Sequence, residues 1–313
     1  MQQKNGAIIL VCLILLSAAT AGMATVPFVS MSLSFYFYLL MWVALASGLN
    51  IMAGFTGYIA FGYVAFFGIG AYTTAVLVAN FGVNIYLALL GAFCVGVLAS
   101  IAFSRILVLR GIYFSMVSLA IAIICRSLIS NIPSHYAGGS QGISVVSVLN
   151  PNAAYFTMLA LCAVMVLVSL FIKLSRFGMH LMAIKDDVEA AQVAGLNVNS
   201  LRLRAWMLSA GFGAVVGGIE AWFSSIIDPD SAFNLLVSTK AIIFAAFGGL
   251  GTVIGPIVGA VSMYVIDNFI WERYPTLNNL ALGIVIILLM IFLPKGIVGS
   301  INGRWPRLRK WFV

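Results

Sequence analysis

Apolar residues fill this chain in blocks of about twenty, parted by short polar stretches, and the blocks recur from end to end. A bilayer hydrocarbon core needs about 20 consecutive apolar helical residues to cross it. Against that length, ten spans are predicted, at 7–29, 33–53, 57–79, 84–104, 110–130, 153–173, 205–226, 232–250, 253–270 and 278–293. The eighth and ninth are joined by GGLGTVIGP, which leaves open one broken or re-entrant element instead of two crossings. The N-terminal block follows a single Lys and contains Ala19-Thr20-Ala21, a pattern compatible with a cleaved signal. Its apolar character continues to Phe28, long enough to span, and we read it as an uncleaved first helix.

Composition removes the soluble alternative. Of 313 residues, 63% are hydrophobic and 8% charged, where a soluble domain carries about 25% charged residues. The predicted fold class is an all-α polytopic membrane protein of about ten transmembrane helices with Gly-rich broken segments, forming a single domain over 1–313. A net charge of +8 taken alone suggests nucleic acid as a partner. The charges fall between the apolar blocks, however, where topology signals sit and nucleic-acid contacts do not. With both termini cytoplasmic, thirteen of the 16 Lys and Arg collect on the inner side: Lys4, Arg105, Arg110, Lys173, Arg176, Lys185, Arg202, Arg204, Lys295, Arg304, Arg307, Arg309 and Lys310. Arg273 falls in an outer loop, and Arg126 and Lys240 fall within or near spans. This arrangement requires an even number of crossings. The tail after Pro294 places Trp305 and Trp311 among Arg307, Arg309 and Lys310, a composition suited to anionic headgroups. Cys12, Cys94, Cys125 and Cys162 lie singly in apolar runs, as packing residues do.

The longest predicted inner loop, 174–204, is the one sustained polar interruption. Asp186 is positioned as an N-cap with Glu189 three residues on, a capping-box spacing. Asp187 and Glu189 fall in the first turn, where the helix dipole favours acids. Val188, Ala191 and Gln192 share a face by i, i+3, i+4 spacing, and Gly195 stands as a terminator. A helix of about two turns is marginal in water and is expected to be held by packing. Ala190, Ala191 and Ala194 permit close approach.

EAAQVAG, with Glu189, Ala190, Ala191 and Gly195, resembles the E-A-A-x-x-x-G loop of ABC importer permeases. Taken alone, the pattern also fits an ordinary short amphipathic helix. The similarity continues through SGLNIMAGFTGYIAFGYVAFFGIGAYTTAVL (47–77), LRGIYFSMVSLAIAIICRSL (109–128), AGGSQGIS (137–144), DPDSAFNLLVSTKAIIFAAFGGLGTVIGPIVGA (228–260) and LPKGIVG (293–299). In that order these segments resemble the branched-chain amino acid permeases of the LivM/LivH type, the LivM branch in particular. The resemblance implies a coupling helix at 186–195 that docks on an ATPase subunit. It further implies two ATPase subunits that hydrolyse ATP with Mg, a second LivH-like permease subunit and a periplasmic substrate-binding protein, all at the bacterial inner membrane. The same family includes importers of urea and short amides, so the cargo stays open.

The chain has no phosphate-loop motif, no metal-ligand spacing and no nucleophile motif. His135 and His180 are far apart and predicted on opposite sides. No cofactor or catalytic residue is expected, and no enzymatic role. Glycine crowds two regions, with Gly54, Gly57 and Gly62 beside Phe61 in the first half and Gly248, Gly249 and Gly251 in the second. Such glycines serve close helix packing, and paired broken segments also mark transport paths in repeat-built transporters; both readings stand. Glu220 and Lys240, in neighbouring spans at compatible depths, are expected to form an intramembrane ion pair, with separate snorkelling as the alternative. Arg126 and the loop carrying Gly138, Gly139 and Gly142 are expected to meet the binding protein; a solvated connector is the alternative. The rival from another class is a stand-alone ion-coupled carrier, for which Glu220 is the candidate carboxylate.

Overall fold

The computed structural model describes residues 32–273 without a break, together with scattered positions on either side. The expected first and last spans and the basic aromatic tail fall almost entirely outside the described residues. Within them the helices follow the apolar blocks: α1 Leu33–Thr56, α2 Val64–Phe81, α3 Ile85–Ala102, α4 Ile112–Ser130, α5 Pro151–Leu174, α6 Arg176–Asp186, α7 Val188–Val193, α8 Val198–Ser224, α9 Leu235–Gly248 and α10 Ile254–Arg273. Among the described residues, seven helical stretches are long and apolar enough to cross a membrane, and Ile254–Ile270 is a shorter apolar helix. The chain is a multi-pass helical membrane protein.

α1 lies at the centre of the bundle. Every residue from Leu39 to Thr56 is buried, as expected of a helix apolar on all sides and surrounded by others. It packs against α5, α8, α9 and α10, and Phe37 stacks on Phe223 with ring centres 3.7 Å apart. α4 is its opposite. Only Phe114, Ser118, Ala122 and Cys125 are buried there, one stripe at three- and four-residue spacing, while Tyr113, Met116, Ile124 and Leu128 point outward. That is the face of a helix at the lipid boundary. α2 and α8 cross where Gly70 lies on the Ala214 carbonyl and Gly217 on the Phe67 carbonyl, contacts that leave no room for a Cβ.

The structure alters three boundaries. The span expected at 57–79 is interrupted: Gly57, at φ +78°, ends α1, a short extended stretch follows, and a single 3₁₀ turn at Phe61–Tyr63 leads into α2. α8 begins at Val198, earlier than the expected 205, because the Asn197 side chain accepts from the Ser200 amide and caps it. Arg202 and Arg204 therefore sit in its first turns and not in a loop. The loop itself contains two helices, α6 and α7, where one was expected.

Contacts between segments far apart in sequence mark two distinct ends of the bundle. At one end the chain doubles back through two short strands, β1 Ile143–Ser144 and β2 Ile226–Ile227, paired antiparallel with Ile143 opposite Ile227. At the other end lie the break after α1, the segment 103–111, helices α6 and α7, and the turn at 249–253. α9 and α10 form a tight antiparallel hairpin about that turn, in which Gly248 meets the Gly255 backbone and Gly259 meets the Phe244 carbonyl. GGLGTVIGP is thus the turn between two helices packed side by side, an arrangement shared by two crossings and by a re-entrant hairpin.

Candidate functional site

The end opposite the strands brings together two glycine-rich breaks that the sequence places about two hundred residues apart. The carboxamide of Asn50, buried in α1, accepts from the Gly251 amide at 2.9 Å and donates to the Thr252 carbonyl at 2.9 Å. It thus replaces both partners that the backbone of the 249–253 turn lacks. Gly54 lies directly against Gly251. Gly251 has φ +84° and Gly249 φ +123°, conformations in which a side chain is strained. Of the expected path residues, Gly54 and Gly251 are in mutual contact, and Gly57 and Gly249 end helices. Gly62 packs on the Ser118 backbone and Gly248 on α10. Phe61 is 36% exposed at the start of the 3₁₀ turn.

Two lysines fasten these breaks from outside. Lys185, near the end of α6, donates to the Gly54 carbonyl at 2.8 Å, and Lys173, near the end of α5, donates to the Gly251 carbonyl at 2.9 Å. The Gly54 carbonyl is in the last turn of α1, where carbonyls lack intrahelical partners and carry the negative end of the dipole, so an ammonium satisfies both needs there; the Gly251 carbonyl belongs to the turn beyond α9. Lys173 also stands 5.7 Å from the centre of the Phe55 ring. Burial lowers the Lys185 ammonium below the usual lysine range, and Asp186 beside it acts in the opposite direction.

α7 follows Lys185 almost at once. Its N-cap is Asp187, whose carboxylate accepts from the Glu189 amide at 2.8 Å and the Ala190 amide at 3.1 Å. The capping role expected of Asp186 is thereby corrected. Asp186 completes α6, and the chain turns extended only at Asp187, which has the geometry a cap requires. The helix ends as expected at Gly195. With φ +82° there, the Gly195 amide donates to the Gln192 carbonyl and the Leu196 amide to the Ala191 carbonyl, the pair of bonds that closes a Schellman motif. Ile184, Ala191 and Val198 form a small core of their own, with Val188, Leu196 and Leu201 packed on it. Ala191 and Val188 share the inward face, but Gln192 is exposed. Glu189, Ala190, Gln192 and Val193 face outward, and Val193 is 91% exposed. Glu189 reaches Arg110 at 3.6 Å.

At the strand-bearing end, Gly138, Gly139 and Gly142 all adopt positive φ, as the loop's turns require. Gly142 packs on the Ile227 carbonyl, which seats β1 on β2. Arg126 donates from Nε to Asp230 Oδ1 at 2.8 Å, so its guanidinium is engaged within the chain. The pairing of Lys240 with Glu220 is also corrected. Lys240 Nζ lies 2.7 Å from Asp267 Oδ2, because the α9–α10 hairpin sets those two residues face to face. Glu220 lies half-buried in the last turns of α8.

Sequence reasoning missed Asn50, Lys173, Lys185, Val193 and Asp267. Asn50 and Asp267 carried a signal, since each is a polar side chain inside an apolar block. The two lysines read as topology charges alone, and nothing in the pattern told the outward Val193 from the inward Val188.

A bundle of apolar helices with clasped breaks at one end and a capped helix standing beside them defines a multi-pass membrane protein. The chain belongs to the family described as the permease component of the branched-chain amino acid transport system, whose model matches residues 31–293. It is 26% identical over 291 residues to the high-affinity branched-chain amino acid transport system permease protein LivM of Salmonella typhimurium, covering 83% of this chain and 68% of the relative. To LivM of Escherichia coli it is 26% identical over 294 residues, with the same coverage. A probable branched-chain amino acid transport permease protein LivH of Methanocaldococcus jannaschii is 27% identical over 296 residues, 86% of this chain and 90% of the relative. No solved structure matches.

Proposed function

We propose that this chain is the membrane-spanning permease subunit of an ATP-driven importer for branched-chain amino acids. In this reading the lysine-bearing end faces the cytoplasm of a bacterial inner membrane and the strand-bearing end faces the periplasm. A separate ATPase subunit bears on α7. Two such subunits hydrolyse ATP with Mg, a LivH-like second permease completes the path, and a periplasmic binding protein delivers cargo at the strand-bearing end. The names of the relatives support the cargo class. The reading needs no nucleic acid, no cofactor in this chain and no covalent step.

One observation carries the proposal. α7 is both exposed and held: its outward face is free for a partner, while Lys185, two residues before its cap, is fastened to the Gly54 carbonyl at the break after α1. A push on α7 is therefore applied through α6 to the inner ends of α1 and of the α9–α10 hairpin. At those ends the contact is made by glycine backbones and a single Asn. The motion is a two-state change biased by the partner.

Ala191 faces inward, so a charge there disturbs α7 itself; Val193 is the position that tests docking. Val193→Asp is expected to reduce ATPase subunits co-purifying with the permease about tenfold, the loss expected when an exposed apolar anchor becomes charged, and to reduce uptake in parallel. Full co-purification would refute the docking site. Uptake that survives ATP depletion but collapses with an ionophore would favour the ion-coupled carrier instead.

A further inference from the structure

Lys240 and Asp267 face each other across the α9–α10 hairpin, inside the membrane-spanning part of the bundle. Their side chains are 17% and 10% exposed, and Nζ lies 2.7 Å from Oδ2. Asp267 Oδ1 is buried with no hydrogen-bond partner among the described residues. Lys240 also stands 6.0 Å from the centre of the Trp42 ring on α1, and Trp42 packs edge-on against Phe244 with ring centres 5.2 Å apart. Ionised groups at this depth are costly and mark function when they persist. An unmet buried acceptor carries a penalty that an incoming donor would relieve.

We propose that Lys240 and Asp267 form a docking site for the zwitterionic head of an α-amino acid crossing the membrane. The inference rests on the reading of this chain as an amino acid permease. Asp267 Oδ1 accepts from the α-ammonium group and Lys240 donates to the α-carboxylate, while the edge of Trp42, 8% exposed, lies beside the cargo side chain. At rest the two residues neutralise each other. When cargo arrives, one internal ion contact is exchanged for two with the ligand, and the net charge of the site does not change. Neither end of the zwitterion, and neither residue, is left bare in the low-dielectric interior. An uncharged amide gains nothing by opening the pair, so the site selects amino acids against urea-like cargo.

The test uses the complete transporter in proteoliposomes, with the permease, its ATPase and second permease subunits and the binding protein, and radiolabelled leucine as probe. Three variants are compared: the neutral pair K240M/D267N, the exchanged pair K240D/D267K, and D267E, which keeps the ion pair and shifts the free oxygen by a methylene. The neutral and exchanged pairs are expected to lower maximal leucine uptake about tenfold or more, the loss of one or two charged hydrogen bonds, and D267E about threefold. Uptake within twofold of wild type in the exchanged pair would make the two residues a helix fastener and overturn the site. If either double variant fails to assemble, D267E decides alone, and an unchanged rate overturns the proposal. Wild-type uptake of urea with none of leucine would instead overturn the cargo reading, and this site with it.

Discussion

The two ends of the bundle are fastened by different chemistry. At the strand-bearing end the joints are made between chain segments near the surface: β1 pairs with β2, Arg126 bonds Asp230, and Asp228 caps the one-turn helix Pro229–Ala232. At the other end, side chains reach from one helix to bare backbone on another. Lys185 bonds the Gly54 carbonyl, Lys173 the Gly251 carbonyl, and Asn50 both faces of the 249–253 turn. The strand pairing is short, two residues on each side, and is extended by the Val145 amide donating to the Ser225 carbonyl. A few long side chains on carbonyl groups hold by single bonds that break one at a time. Under the proposed function, the lysine-bearing end is the one expected to open.

The comparison is broken most severely at the contact between the two breaks. Gly251→Val forces a β-branched residue to φ +84° and sets its Cβ against the Gly54 carbonyl. It is expected to cost about 2 kcal/mol or more and to abolish uptake, as read by leucine transport and a lowered melting temperature. Next comes Lys173→Met with Lys185→Met. Both lysines keep contact with water, so their bonds contribute only about 1 kcal/mol each and the fold is expected to survive. The amount of amino acid moved per ATP hydrolysed should fall about fivefold to tenfold, measured by uptake and phosphate release on the same sample. An unchanged ratio would show that the lysines do not transmit motion. Asp228→Ala removes a cap worth about 1 kcal/mol, and the expected result is a lower melting temperature with that ratio unchanged. Smallest is Arg126→Ala: an ion pair with side chains 50% and 76% exposed contributes about 0–1 kcal/mol, and uptake should stay within about twofold. A large loss there would assign Arg126 a role outside this chain.

What the sequence made readable follows from the range of the physics involved. The bundle's helices were marked by length and apolarity, which are local properties, and Gly195 ended α7 because left-handed backbone there is also a local demand. Asp186 and Asp187 were ranked wrongly as caps because the choice turns on where α6 stops, and that depends on Ile184 packing against Ala191 and Val198. Lys240 was assigned Glu220 by depth alone. Its partner Asp267 comes from the hairpin, whose crossing at Gly248 and Gly259 fixes which residues face each other. The clasp joins Asn50 to Gly251 and Thr252, and no pattern within either stretch announces the other.

The burial of α1 on every side has a consequence for how the protein is made. Asn50 meets its partners Gly251 and Thr252 some two hundred residues later in the chain. At about 5–20 residues per second, synthesis of that interval takes roughly ten to forty seconds. Throughout it, the segment destined for the centre lacks the partners of its carboxamide. A helper in the insertion machinery that shelters such a segment would be needed most for the part of the molecule that, once complete, touches lipid least.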